Sequence, residues 1–213
     1  MKFKNLQADY HGNIVFSGLT DQLEKQKLTM LLGQNGAGKS TLMQALCGLK
    51  HVQGKIISAE GTIYLPQKNQ VFDYLKVKDL LKMALSKSKR GTDISLVDHY
   101  LDLEKLMERE ILNLSDGQQQ RVWLAYALIQ NKDITMLDEP LTSLDLKFQQ
   151  RLLKLLVKLK QEAHQTFLIS IHDPLIARKF GDVIWLLDKH GLKSGAPTDL
   201  LTDNKINEFF ELE

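Results

Sequence analysis

The chain has 213 residues, 43% of them hydrophobic and 25% charged, the proportions of one globular domain or of one domain with a modest insertion. A net charge of +2 gives no reason to expect nucleic acid as a partner, and a single cysteine, Cys47, excludes an internal disulfide. No stretch approaches about 18 uninterrupted apolar residues, so no membrane span is expected, and the first residues lack the apolar run of a signal peptide.

Residues 1–20 read as two short strands around His11-Gly12-Asn13, an antiparallel edge piece. Short apolar, β-branched runs at 28–32, 54–57, 62–65, 133–137, 166–171 and 183–187 predict strands. Helical patterns fall at about 39–47, 116–130, 145–162 and 173–180. This alternation predicts a mainly parallel sheet covered by helices. Between 68 and 113 the pattern turns helical and more charged, with no clear strand. We read 68–113 as a helical subdomain inserted into an α/β core made of 1–67 and 114–213.

Three segments carry chemistry. Gly33-Gln34-Asn35-Gly36-Ala37-Gly38-Lys39-Ser40, followed by Thr41, lies between a strand and a helix, the context a phosphate-binding loop requires. Its glycines let backbone N–H groups turn inward around a phosphate, and the helix N-terminus adds its positive end. Lys39 would reach the β- and γ-phosphates and Ser40 would bind Mg²⁺. Ile134-Thr135-Met136-Leu137-Asp138-Glu139-Pro140 reads as a buried strand delivering two carboxylates at its C-terminal end, where open α/β sheets bind ligands. Asp138 is placed to hold Mg²⁺ and Glu139 to act as general base on a water. Leu114-Ser115-Asp116-Gly117-Gln118-Gln119-Gln120-Arg121 offers a second small-residue turn at a helix N-terminus, suited to phosphate. Its plainer reading is Ser115 as the N-cap of an amphipathic helix.

Taken in order, the phosphate loop, Gln67, residues 114–118, Asp138-Glu139, Ser143-Leu144-Asp145 and His172 resemble the ATP-binding subunit of ABC transporters, through nearly the whole chain. The resemblance implies a P-loop NTPase core with a mainly parallel sheet, an antiparallel β edge piece and an inserted helical subdomain. It also implies a head-to-tail homodimer. Each ATP would be held by one chain's loop (Gly33, Asn35, Gly36, Gly38, Lys39, Ser40, Thr41) and by Ser115, Gly117 and Gln118 of the other. Gln67 resembles the residue that meets Mg²⁺ and the lytic water, and His172 resembles the family's γ-phosphate contact. Asp145 resembles an aspartate lying across the dimer interface, and is also suited to cap the helix that follows. Tyr10 is the nearest match to an aromatic residue stacked on adenine, with Phe16 as the substitute. In the 114–121 segment Asp116 stands where the family usually has glycine.

Cys47 reads as a buried, inert thiol. Lys147, Arg151, Lys154 and Lys158 read as a solvated stripe beside the apolar stripe Phe148, Leu152, Leu155 and Leu159. Lys76, Lys78, Lys82, Lys87, Lys89 and Arg90 form either a solvated surface or one lying near anionic headgroups. The compact segment between Lys39 and Gln67, and the chain's end soon after 195–202, resemble importers of metal ions, iron chelates or cobalamin. The implied partners are integral membrane permease subunits and an extracytoplasmic substrate-binding protein. The implied location is the inner face of the cell membrane. An exporter subunit and a non-transport ABC ATPase, such as a cell-division regulator, are the competing readings.

Overall fold

Among the described residues, nine strands form the two sheets of the computed structural model. It describes residues 1–10, 13–57, 61–69, 73–88 and 94–210, with all their side chains but those of Tyr10, Glu208 and Phe210. The strands β3 (Leu28–Leu32), β6 (Ile134–Asp138) and β7 (Thr166–Ser170) are buried along their whole length, as expected of parallel strands covered on both faces. They join β5 (Thr62–Leu65), β8 (Val183–Asp188) and β9 (Gly191–Gly195) in the order β5-β6-β7-β3-β8-β9, parallel except for β9. The second sheet has the order β2-β1-β4 and is antiparallel, from β1 (Lys2–Tyr10), β2 (Asn13–Gln22) and β4 (Gln53–Ile57).

Three expectations need correction here. The run at 54–57 pairs with β1, not with the parallel sheet. The two N-terminal strands are 9 and 10 residues long rather than short. A C-terminal hairpin strand β9 and two short helices, α7 (Pro197–Leu200) and α8 (Asp203–Phe210), follow where no element was expected.

The pleat of the parallel sheet divides its side chains between two cores. Leu31, Met136, Leu168, Trp185 and Leu187 face the antiparallel sheet, and helix α1 (Lys39–Leu46) fills the gap with Leu42, Met43 and Leu46. Phe3 meets Trp185 edge-on, centroids 5.6 Å apart. On the other face, Met30, Leu32, Leu137, Phe167, Ile169 and Leu186 pack under α4 (Asp116–Ile129), α5 (Leu146–Glu162) and α6 (Pro174–Phe180). The stretch expected to be helical holds α2 (Val77–Ser86) and α3 (Ile94–Leu101). Both pack on α4, and α3 also meets α5. Val77, Leu80, Leu81, Val97 and Leu101 therefore belong to the same apolar core as α4. Among the described residues, no helix is long and apolar enough to cross a membrane.

Candidate functional site

Because β6, β7 and β3 are parallel neighbours, their C-terminal ends form one rim, the side on which such sheets bind ligands. The loop 33–40 leaves β3 there and runs directly into α1. Gly38, the residue before α1, has φ +96°, and a Cβ on it would meet Val15 Cγ1 at 2.6 Å. β2 presses on the loop at this point, so only glycine satisfies both the space and the left-handed backbone. Lys39 is 6% exposed, and its ammonium donates to the carbonyls of Gly33 at 2.8 Å and Gln34 at 3.3 Å, strapping the loop together. Burial lowers the Lys39 pKa, opposed by the charges of Glu139 and Asp138. Asn35, Gly36 and Ser40 are exposed and Thr41 is buried. Gln34, Asn35, Gly36 and Ala37 line a cleft of about 890 Å³, walled also by Ile14 and Val15, a size suited to a small-molecule ligand.

Asp138 ends β6 at 3% exposure. Its two oxygens accept from the Tyr64 hydroxyl at 2.9 Å and the Ser170 hydroxyl at 2.5 Å. Burial, and then the Asp138 charge, push the Tyr64 phenol well above its ordinary value, so it stays a donor. Glu139 follows with φ +47°, an uncommon backbone for a residue with a Cβ. Its N–H donates to Ser170 Oγ at 2.7 Å. Its carboxylate is met on one oxygen by Gln67 Nε2 at 2.6 Å and on the other by His172 Nε2 at 2.6 Å. Thr142 adds a hydroxyl at 3.4 Å. Gln67, Glu139 and His172, far apart in sequence, thus form one cluster.

The 115–118 turn is a capping box. Gln118 N–H donates to Ser115 Oγ at 3.4 Å, and Ser115 N–H donates to Gln118 Oε1 at 3.1 Å. Gly117 lets this helix end approach the following loop: a Cβ there would meet the Ser143 carbonyl oxygen at 2.9 Å. Asp116 is exposed. Asp145 caps α5, its Oδ1 accepting the Phe148 N–H at 2.9 Å.

Among the described residues no cluster of three or more His, Cys, Asp or Glu could hold a metal. Ser40, Asp138 and Gln67 instead present hydroxyl, carboxylate and amide oxygens. Such a hard, sparse donor set fits Mg²⁺ that completes its shell with phosphate and water.

Several sequence expectations change. Phe16 is 4% exposed and lies in the core beside Gly38, so it is not an open stacking surface; the side chain of Tyr10 lies outside the described residues. The basic stripe on α5 is not uniformly solvated, because Arg151 is half-buried and donates to the His99 carbonyl. In the other basic cluster Lys78 and Lys76 pair with Glu108 at 2.6 and 3.6 Å, while Lys89 and Arg90 lie outside the described residues. Tyr64, Thr142 and Ser170 were not anticipated. Only the pairing of Asp138 with Ser170 across β6 and β7 brings that serine to the site.

The model of the family described as "ABC transporter" matches residues 16–142. The petrobactin import ATP-binding protein YclP of Bacillus subtilis is 30% identical, covering 100% of this chain and 93% of the relative. The zinc import ATP-binding protein ZnuC of Rickettsia conorii is 31% identical, covering 97% and 91%. Among solved structures, a metal-chelate type ABC transporter in an inward-facing conformation superposes with a TM-score of 0.85 at 30% identity, covering 99% of this chain and 88% of the other.

Proposed function

Because the chain belongs to the ABC transporter family, we propose that it is the ATP-hydrolysing subunit that drives a separate membrane permease importing a metal ion or metal chelate. The cargo class is supported by relatives named for petrobactin and zinc import and by the metal-chelate type transporter of like fold. The observation that carries the ATPase reading is Glu139, clasped between Gln67 and His172 on the rim that also bears the 33–40 loop.

In this reading each residue has a role. The N–H groups of residues 36–41 and the start of α1 hold the phosphates, with Lys39 turning its ammonium to the β- and γ-phosphates. Ser40, Asp138 and Gln67 would hold Mg²⁺, which would neutralise charge on the phosphates. Glu139 accepts a proton from the attacking water, and its two neighbours aim the carboxylate at that water. His172, whose Nε2 meets Glu139 at 2.6 Å, turns to the γ-phosphate when ATP is bound. Two copies pack head to tail, and Ser115, Gly117, Gln118 and Asp145 of each complete the other's site. The 68–113 insert passes the closing motion to the permease, at the inner face of the membrane, and an extracytoplasmic binding protein supplies the cargo.

Glu139→Gln is expected to cut Mg²⁺-dependent turnover by about a hundredfold to ten-thousandfold while leaving an ATP-stabilised dimer in gel filtration. Full turnover in that variant would reject Glu139 as the base. Purification from detergent-solubilised membranes should bring down a multi-span protein; ribosomal proteins in its place would reject transport.

A further inference from the structure

Arg121 is a buried cation that the chemistry above does not use. It is 7% exposed, and its NH1 donates to the carbonyls of Leu101 at 2.8 Å and Asp102 at 3.1 Å, with the Asp102 carboxylate at 3.6 Å. These carbonyls end α3, where a helix has no internal donors for its last C=O groups. Arg151, on α5, donates to a third of them, the His99 carbonyl. Both guanidinium groups lie against the Phe148 ring, Arg121 at 4.1 Å and Arg151 at 5.4 Å from its centroid. Phe148 in turn gives its N–H to Asp145.

We propose that Arg121, with Phe148 and Arg151, is a positioning clamp that sets the 115–118 turn and Asp145 for the ATP site of a second copy of the chain. The inference rests on the shared-site reading given above and extends it to residues that touch no nucleotide. Arg121 lies on the helix that begins at Ser115, Arg151 on the helix that Asp145 caps, and both donate to carbonyls at the end of α3. The two segments assigned to the second copy's ATP are thereby tied to one point, the end of α3. A buried guanidinium is a weak source of stability compared with an apolar side chain of similar volume. What it adds is direction, because its planar fork fixes the carbonyls and stacks on the ring at once.

The test uses the full chain in the Glu139→Gln background, where ATP holds the dimer. Arg121→Lys keeps the charge and loses the fork and the stack. It should raise the dissociation constant of the ATP-bound dimer about tenfold, while ATP affinity measured on dilute single subunits stays unchanged. Phe148→Leu, which removes only the platform, should show the same split and serves if Arg121→Lys gives no folded protein; Phe148→Tyr should restore the parent behaviour. An unaltered dimer constant, or ATP affinity of single subunits falling in step with it, overturns the clamp. If the Glu139→Gln parent forms no ATP-dependent dimer, the shared site itself is refuted and the clamp falls with it.

Discussion

Ser170 holds the backbone of Glu139: its hydroxyl oxygen accepts the Glu139 N–H at 2.7 Å, and the same hydroxyl donates to Asp138 at 2.5 Å. A non-glycine residue at φ +47° is strained by about 1–3 kcal/mol, so Glu139 needs such an anchor to keep its carboxylate between Gln67 and His172. Ser170→Ala should lower kcat by about a hundredfold, the scale of a 1 Å misplacement, and should change the KM for ATP far less, because loop 33–40 makes no use of Ser170. Ser170→Thr keeps the hydroxyl and should recover part of the rate. Steady-state kinetics decide it; a raised KM with normal kcat would contradict the role.

Gly117 offers a second check on close approach. A Cβ at this position would stand 2.9 Å from the Ser143 carbonyl oxygen, and backbone cannot step aside as a flexible side chain can. Gly117→Ala should cost about 1–3 kcal/mol in urea unfolding, the usual scale of overpacking, and should slow ATP turnover by displacing residues 143–145. Unfolding and turnover both matching the parent would mean that the helix end and the loop part easily.

The resemblance carried by the order of motifs along the chain singles out Gln67, Glu139 and His172, and the structure brings these three side chains into contact. Ser170 was not legible, because its place beside Asp138 depends on which strands are neighbours, and local pattern does not reveal that. Residues 54–57 have strand character in either sheet, so pattern alone cannot choose the partner. Arg151 reads as part of a solvated stripe and Arg121 carries no reading of its own, since nothing local says that a neighbouring helix ends against them. Gly191–Gly195 is a strand made of Gly, Leu, Lys, Ser and Gly, with no alternation to betray it; β8 supplies its hydrogen bonds.

Cys47 should be inert in the folded protein. Burial pushes its thiol up to about 12 from an ordinary 9.0, and its sulfur lies 3.4 Å from Met136 Sδ. At pH 8 that leaves about one thiolate in ten thousand when folded and about one in ten when unfolded. Alkylation by iodoacetamide should therefore track unfolding, slow in buffer and fast in urea. The sign of the linkage follows from the raised folded value: the thiol's contribution to stability is whole below pH 9 and is lost as the pH rises towards about 12. Fast native alkylation at pH 8 would show an open, ionised thiol.

Asp116 is the residue by which the 114–121 segment departs from the form usual in its family. A carboxylate facing a γ-phosphate would repel it, whereas one in the first turn of a helix and open to water is favoured by the helix dipole. Asp116 is exposed in the first turn of α4, and the capping box beside it uses Ser115 and Gln118 alone. Asp116→Gly should then cost about 0.5–1 kcal/mol of stability, from the glycine's freedom in the unfolded chain and the lost charge. ATP turnover should stay close to that of the parent. Turnover and thermal unfolding measured on the same preparation separate the two effects. A many-fold rise in turnover would mean that the carboxylate points at the phosphate in the closed dimer and restrains hydrolysis there.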